Sequence, residues 1–185
     1  MYTGAVLAGG RSRRFGEDKA LYVYRGRPLL LWVLESLKGA QERFIVANRP
    51  YPGFGVAVYP DAIPGGDSLS GLYTALLHAQ TPWVAVAACD LPFLTPDYWA
   101  FLYEKALASP HPVVAALGKE GHMETLAAFY HRDLLPFLEA QLRAGDLLVR
   151  RAAEVYGATQ VPFSEVASRF GEEVFLNANR KEELP

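Results

Sequence analysis

Residues 3–20 read TGAVLAGGRSRRFGEDKA, and the order of residue types in this stretch decides the fold class. Thr3–Leu7 is a short apolar run of strand length. It opens directly into Gly9 and Gly10, followed by Arg11, Arg13, Arg14 and Lys19. In α/β sheets, the loops beyond the carboxyl ends of strands face the ligand, so a strand that runs into glycines and cations predicts an anion site at a sheet edge. The glycines permit positive φ and let consecutive amides point at phosphate oxygens. Arg13, Arg14 and Lys19 supply the counter-charge. The stretch contains neither GxxxxGK[ST] nor GxGxxG, so a third type of phosphate loop is required.

Outward from this loop, apolar runs alternate with segments of helical period, the pattern of a parallel sheet covered by helices on both faces. Strands are predicted at 43–47, 56–59, 83–88, 113–117 and 125–130, with 83–88 the most hydrophobic and therefore central. Helices are predicted at 29–37 behind Pro28 and stopped by Gly39, from a Ser68 or Ser70 cap to 79, at 95–108 behind Thr95, Pro96 and Asp97, and at 132–144 before Gly145. With 185 residues, 51% of them hydrophobic, the chain fits one domain spanning 1–185.

The net charge of −2 gives no general attraction to nucleic acid or anionic membrane, so any phosphate affinity is local. The single cysteine, Cys89, excludes an internal disulfide and suits a reducing cytoplasm. No run approaches the roughly 20 apolar residues of a membrane span. His78, His111 and His131 have no partner at ligand spacing and read as ordinary histidines. Tyr98, Trp99, Phe101 and Tyr103 read as packing along a helix.

Three polar positions follow predicted strands. Asp90, in CDLPFLTP, leaves the central strand at the same sheet edge as the glycine loop, where a carboxylate suits Mg²⁺, a cation held by one or two carboxylates together with substrate phosphates. Asn48, in VANRP, follows the second strand and suits a hydrogen bond to a base or ribose. Asp61, in YPDAIPGG, follows the third, where a carboxylate can accept hydrogen bonds from N–H and amino donors.

The loop LAGGRSRRFGEDKA resembles the signature of the molybdenum cofactor guanylyltransferases, close to LAGGxSxRMGxDK, with Phe15 in place of the usual methionine. The resemblance continues through Asn48, Asp61 and Asp90 to FLNANRKEEL near the C-terminus, which is similar to the family's N-x-N-T-P-E-E-L. GGDSLSGLYTAL is a divergent form of its GPLAGI element, and GHMETLAAFY, with His122, Glu124 and Thr125, departs from the segment that contacts the pterin.

The resemblance implies a three-layer α/β/α, Rossmann-like nucleotidyltransferase fold with a mostly parallel sheet. It implies nucleotide binding by Leu7, Ala8, Gly9, Lys19, Asn48, Asp61 and Asp90, and catalysis by Arg14, Lys19 and Asp90. Mg²⁺ would rest on Asp90, with Asn179 as a second contact and Asn177 as its alternative; a helix N-cap is an equally good account of Asn179. The implied substrates are GTP and molybdopterin, with transient contacts to proteins that deliver or receive the molybdenum cofactor. Two other readings stay open from the residues: transfer from another triphosphate or to another acceptor (a cytidylyl-accepting pterin, a sugar phosphate or phospholactate), and a GTP-binding regulatory domain without catalysis.

Overall fold

A computed structural model describes residues 1–9, 18–178 and 184–185. In chain order the elements are β1 (Thr3–Leu7), a 3₁₀ turn (Lys19–Leu21), β2 (Val23–Tyr24), β3 (Arg27–Pro28), α1 (Leu29–Ser36), β4 (Glu42–Val46), β5 (Ala57–Tyr59) and α2 (Ser68–His78). They continue with β6 (Trp83–Ala88), α3 (Pro96–Leu107), β7 (Val113–Ala116), β8 (Ala127–His131), a second 3₁₀ turn (Arg132–Leu134), α4 (Leu135–Ala144), α5 (Arg151–Tyr156), β9 (Thr159–Val161) and α6 (Phe163–Phe170).

Seven strands form one sheet in the order β5-β4-β1-β6-β8-β7-β9, while β2 and β3 make a separate hairpin. Every adjacent pair in the large sheet is parallel except those made by β8, which runs antiparallel to both β6 and β7. Successive strand residues point to opposite faces: Val6, Ala85 and Ala87 join a core with residues of α1, α3 and α6. Ala5, Val84 and Val86 join the other, with residues of α2, α4 and α5. The sheet is thus the middle of three layers, as its unbroken apolar strands require.

β6 is the middle strand, as its composition predicts. It adjoins β1, and the chain leaves β1 toward β4 on one side and β6 toward β7 on the other. The loops part over the β1/β6 boundary, the kind of crevice where open α/β sheets bind ligands. Gly71 lets α2 close on this point, since a Cβ there would meet Leu7 Cδ1 at 3.0 Å.

Local chemistry accounts for several boundaries. Thr95 Oγ1 accepts the Tyr98 amide at 3.1 Å and caps α3, with Pro96 in its first turn. α4 ends at Gly145 with φ +74°, a left-handed stop that glycine adopts without strain.

Other expectations shift. Neither Ser68 nor Ser70 caps α2: Asp67 occupies the cap position with no side-chain bond to the helix. Ser70 instead lies inside the helix, donating to Ile63 O at 2.6 Å and accepting from Gly66 N at 2.8 Å. Pro28 precedes α1 rather than entering it, and the helix ends at Ser36, before Gly39. The strand expected at 125–130 begins at Ala127, and the first three residues of 132–144 form the 3₁₀ turn. The hairpin, α5, β9 and α6 are additional elements.

Candidate functional site

The carboxyl ends of β1, β4 and β6 open into a cleft of about 470 Å³ whose lining includes Leu7, Ala8, Gly9, Lys19, Asn48, Asp61 and Asp90. Backbone ladders bring these ends together: Ala8 N donates to Val46 O at 2.9 Å and Cys89 N to Leu7 O at 3.2 Å. Residues separated by more than 80 positions in sequence therefore share one wall. Arg14, with Arg11 and Arg13, lies outside the described residues, as does Asn179.

Lys19 Nζ and Asp90 Oδ2 are 3.1 Å apart, with side chains 20% and 16% exposed. An ammonium and a carboxylate thus adjoin in a largely water-excluded position, where each field acts more strongly than in bulk water. The Asp90 carbonyl also accepts the amide of buried Ala178 at 2.9 Å. The C-terminal segment preceding Asn179 is therefore tied directly to Asp90.

Asn48 and Asp61 hold one another. Asn48 Nδ2 donates to Asp61 Oδ2 at 3.0 Å, and Asp61 N donates to Asn48 Oδ1 at 2.9 Å. The pair fixes the Asp61 carboxylate at the cleft wall while leaving its second oxygen to accept from a ligand.

Asp18, the aspartate of the signature, anchors the end of the glycine loop with a tyrosine that no motif in the sequence singles out. Asp18 accepts from Ala20 N at 3.2 Å, from Tyr51 Oη at 2.9 and 3.1 Å, and from Arg49 at 3.1 Å. Tyr51 is buried and its hydroxyl also lies 3.3 Å from Ala8 O. Burial first, and then the bond to Asp18, raises the Tyr51 phenol well above its ordinary pKa, which keeps it a donor. Tyr51 thereby touches the chain at both ends of the loop, beside Lys19. Its only sequence cue is a place three residues after Asn48.

Burial, then the Asp90 charge, pushes the Cys89 thiol up to about 12, so it stays un-ionised and unreactive near neutrality. The same two causes raise Glu124 above the usual carboxylate range.

A second cavity of about 720 Å³ adjoins the first, and both are bordered by Asp67 and Ser68. His122 and Thr125 line it with Arg150 and Gln160, against apolar Met123 and Leu147. Glu124 instead faces Gly118, whose missing Cβ leaves room for its carboxylate. Asp67, at the seam, has φ +51° and ψ −124°; such a sparsely populated backbone costs on the order of 1–3 kcal/mol for a residue other than glycine.

No helix among the described residues is long and apolar enough to cross a membrane, and no cluster of three or more potential metal-binding side chains occurs among them.

The three-layer fold, with a cleft at the carboxyl ends of its central strands, has the architecture of a nucleotidyltransferase. A family model described as a MobA-like NTP transferase domain matches residues 4–160, and the chain belongs to that family. A Deinococcus radiodurans protein named probable molybdenum cofactor guanylyltransferase is 39% identical, over 98% of this chain and 91% of its own. A Pyrococcus furiosus protein of the same name is 32% identical, over 100% and 95%. The crystal structure of molybdopterin-guanine dinucleotide biosynthesis protein A from Archaeoglobus fulgidus superposes with a TM-score of 0.84 at 25% identity, covering 98% of this chain and 94% of that one.

Proposed function

We propose that this protein transfers the guanylyl group of GTP to the terminal phosphate of molybdopterin, releasing pyrophosphate and forming the guanine dinucleotide cofactor. The observation that carries the reading is the meeting of Lys19 and Asp90 at 3.1 Å in the cleft where β1 and β6 end. The family membership and the names of the full-length relatives support the substrates.

In this reading the amides near Gly9 and the Lys19 ammonium hold the triphosphate, with Arg14 adding charge. Asp61, steadied by Asn48, accepts hydrogen bonds from guanine. The adjoining cavity takes the pterin, whose phosphate reaches into the first cavity and faces the α-phosphorus. An oxygen of that phosphate attacks phosphorus in line, the bond to the β-phosphate oxygen breaks, and its electron pair leaves with pyrophosphate. The nucleophile is already anionic, since the second pKa of a phosphomonoester is about 6, and no protein base is needed. The protein's part is to position the reactants and stabilise the charge that develops.

The Asp90 carboxylate fits Mg²⁺, an oxygen-seeking cation that keeps waters and shares substrate phosphates, so a single protein carboxylate is enough. Asn179 is the proposed second contact. Bound Mg²⁺ would neutralise phosphate charge. The proposed setting is cytoplasmic, with transient docking to proteins that supply the pterin or accept the product.

Pyrophosphate release measured with each of the four triphosphates, molybdopterin and Mg²⁺ tests the reaction: GTP is expected to dominate. Equal use of all four, or preference for CTP, would refute the guanylyl assignment. Tyr51→Phe tests the anchor of the loop. Loss of a hydrogen bond to a charged carboxylate is worth about 1.5–3 kcal/mol, so a rise in KM for GTP of roughly tenfold is expected. In a Lys19→Ala background the same change should add little, because Tyr51 acts through the placement of Lys19. Full additivity would show that Tyr51 serves stability alone.

A further inference from the structure

Among the described residues only Arg25 and Asp67 have positive φ without being glycine. Arg25 precedes Gly26 in the tight turn between β2 and β3, where positive φ is the normal hairpin geometry. Asp67 differs. Leu69 N donates to Gly66 O at 3.0 Å, closing a turn whose second residue, at φ +51° and ψ −124°, has the type II′ conformation that glycine fills. Gly66 before it has no room for a side chain, since a Cβ there would strike Leu142 and come within 2.7 Å of Ser70 Oγ.

No contact of its side chain among the described residues offsets that strain. The Asp67 side chain does not cap α2, and among the described residues it makes neither a hydrogen bond nor an ion pair. It is exposed, and it borders both cavities. Backbone strain of this kind persists where the residue serves a ligand, and a carboxylate only accepts hydrogen bonds. Phosphate, itself an anionic acceptor, is the wrong partner. In the proposed reading the donor edge of guanine already has Asp61.

We infer that Asp67 is a specificity residue that accepts hydrogen bonds from the N–H and amino donors of the acceptor's fused heterocycle as it sits in the second cavity. This rests on the guanylyl-transfer reading for the acceptor's identity. Glycine at this position would make a more stable protein that holds its acceptor less well.

Three measurements on wild type, Asp67→Gly and Asp67→Asn decide the matter: thermal unfolding, titration with GTP and Mg²⁺, and titration with molybdopterin under anaerobic conditions. Asp67→Gly is expected to raise Tm by a few degrees and to leave GTP affinity within about twofold. It should weaken molybdopterin binding roughly tenfold or more, as loss of a charged acceptor implies. Asp67→Asn, keeping an acceptor oxygen but no charge, should fall between. Equal molybdopterin affinity in wild type and Asp67→Gly, or no binding by wild type, overturns the assignment. Because these are binding measurements, they stand apart from pyrophosphate release. A protein that binds molybdopterin through Asp67 yet transfers no guanylyl group would sink only the proposed reaction, and active transfer with Asp67→Gly binding normally would sink only the role of Asp67.

Discussion

Asp90→Ala is expected to abolish turnover while leaving the fold intact. Asp90 sits beyond the end of β6, in the cleft and outside the two sheet cores, so truncation removes no apolar packing. Its main-chain carbonyl keeps the bond to Ala178 N whatever the side chain. What disappears is the carboxylate 3.1 Å from Lys19, and with it the proposed hold on Mg²⁺. Loss of charge stabilisation worth about 4 kcal/mol at the transition state lowers kcat by roughly 10³-fold. The check is pyrophosphate release at saturating GTP and molybdopterin, paired with thermal unfolding. Near-normal turnover at ordinary Mg²⁺ would refute the metal assignment. Asp90→Asn sharpens the test, because it keeps the size of the side chain and removes its charge.

Lys19→Ala is expected to act on binding as well as on rate. A charge-assisted contact to phosphate is worth about 2 kcal/mol or more, which corresponds to a loss of GTP affinity of about 30-fold. Turnover should fall further, since negative charge grows on the departing pyrophosphate. Lys19→Arg is not expected to restore full activity: a planar guanidinium on a different stem does not reproduce a compact ammonium placed beside Asp90. Calorimetric titration with GTP gives the first quantity and steady-state kinetics the second. Unchanged affinity and unchanged kcat together would remove the glycine loop from the proposal.

The strands that build the cleft are the most legible part of the chain. Thr3–Leu7 and Trp83–Ala88 have the bounds expected from the sequence, because a strand buried on both faces reads as a nearly continuous apolar run. The residues that follow such strands are consequently placed at the sheet edge by topology alone, and Gly9, Asn48, Asp61 and Asp90 all line the same cleft. Short peripheral elements were harder. Thr159–Val161 is a three-residue edge strand and Arg151–Tyr156 a six-residue helix; neither is long enough for a periodic pattern to separate it from loop.

The sequence alone determined the order of the strands and helices from β4 to α4 apart from the short turns, the glycine-rich loop after β1 and the carboxylate after β6, since each is a local matter of burial, backbone freedom or position next to a strand. The tertiary structure decided the rest. The clasp of Tyr51 on Asp18 spans 33 positions, and the second cavity draws on segments near residues 67, 122 and 150. The strain at Asp67 is invisible in a residue name, because aspartate is an ordinary turn former and only the folded chain shows its φ positive. Contacts between distant segments arise only once the sheet has closed, and no periodicity along a chain encodes which loops will meet above its edge.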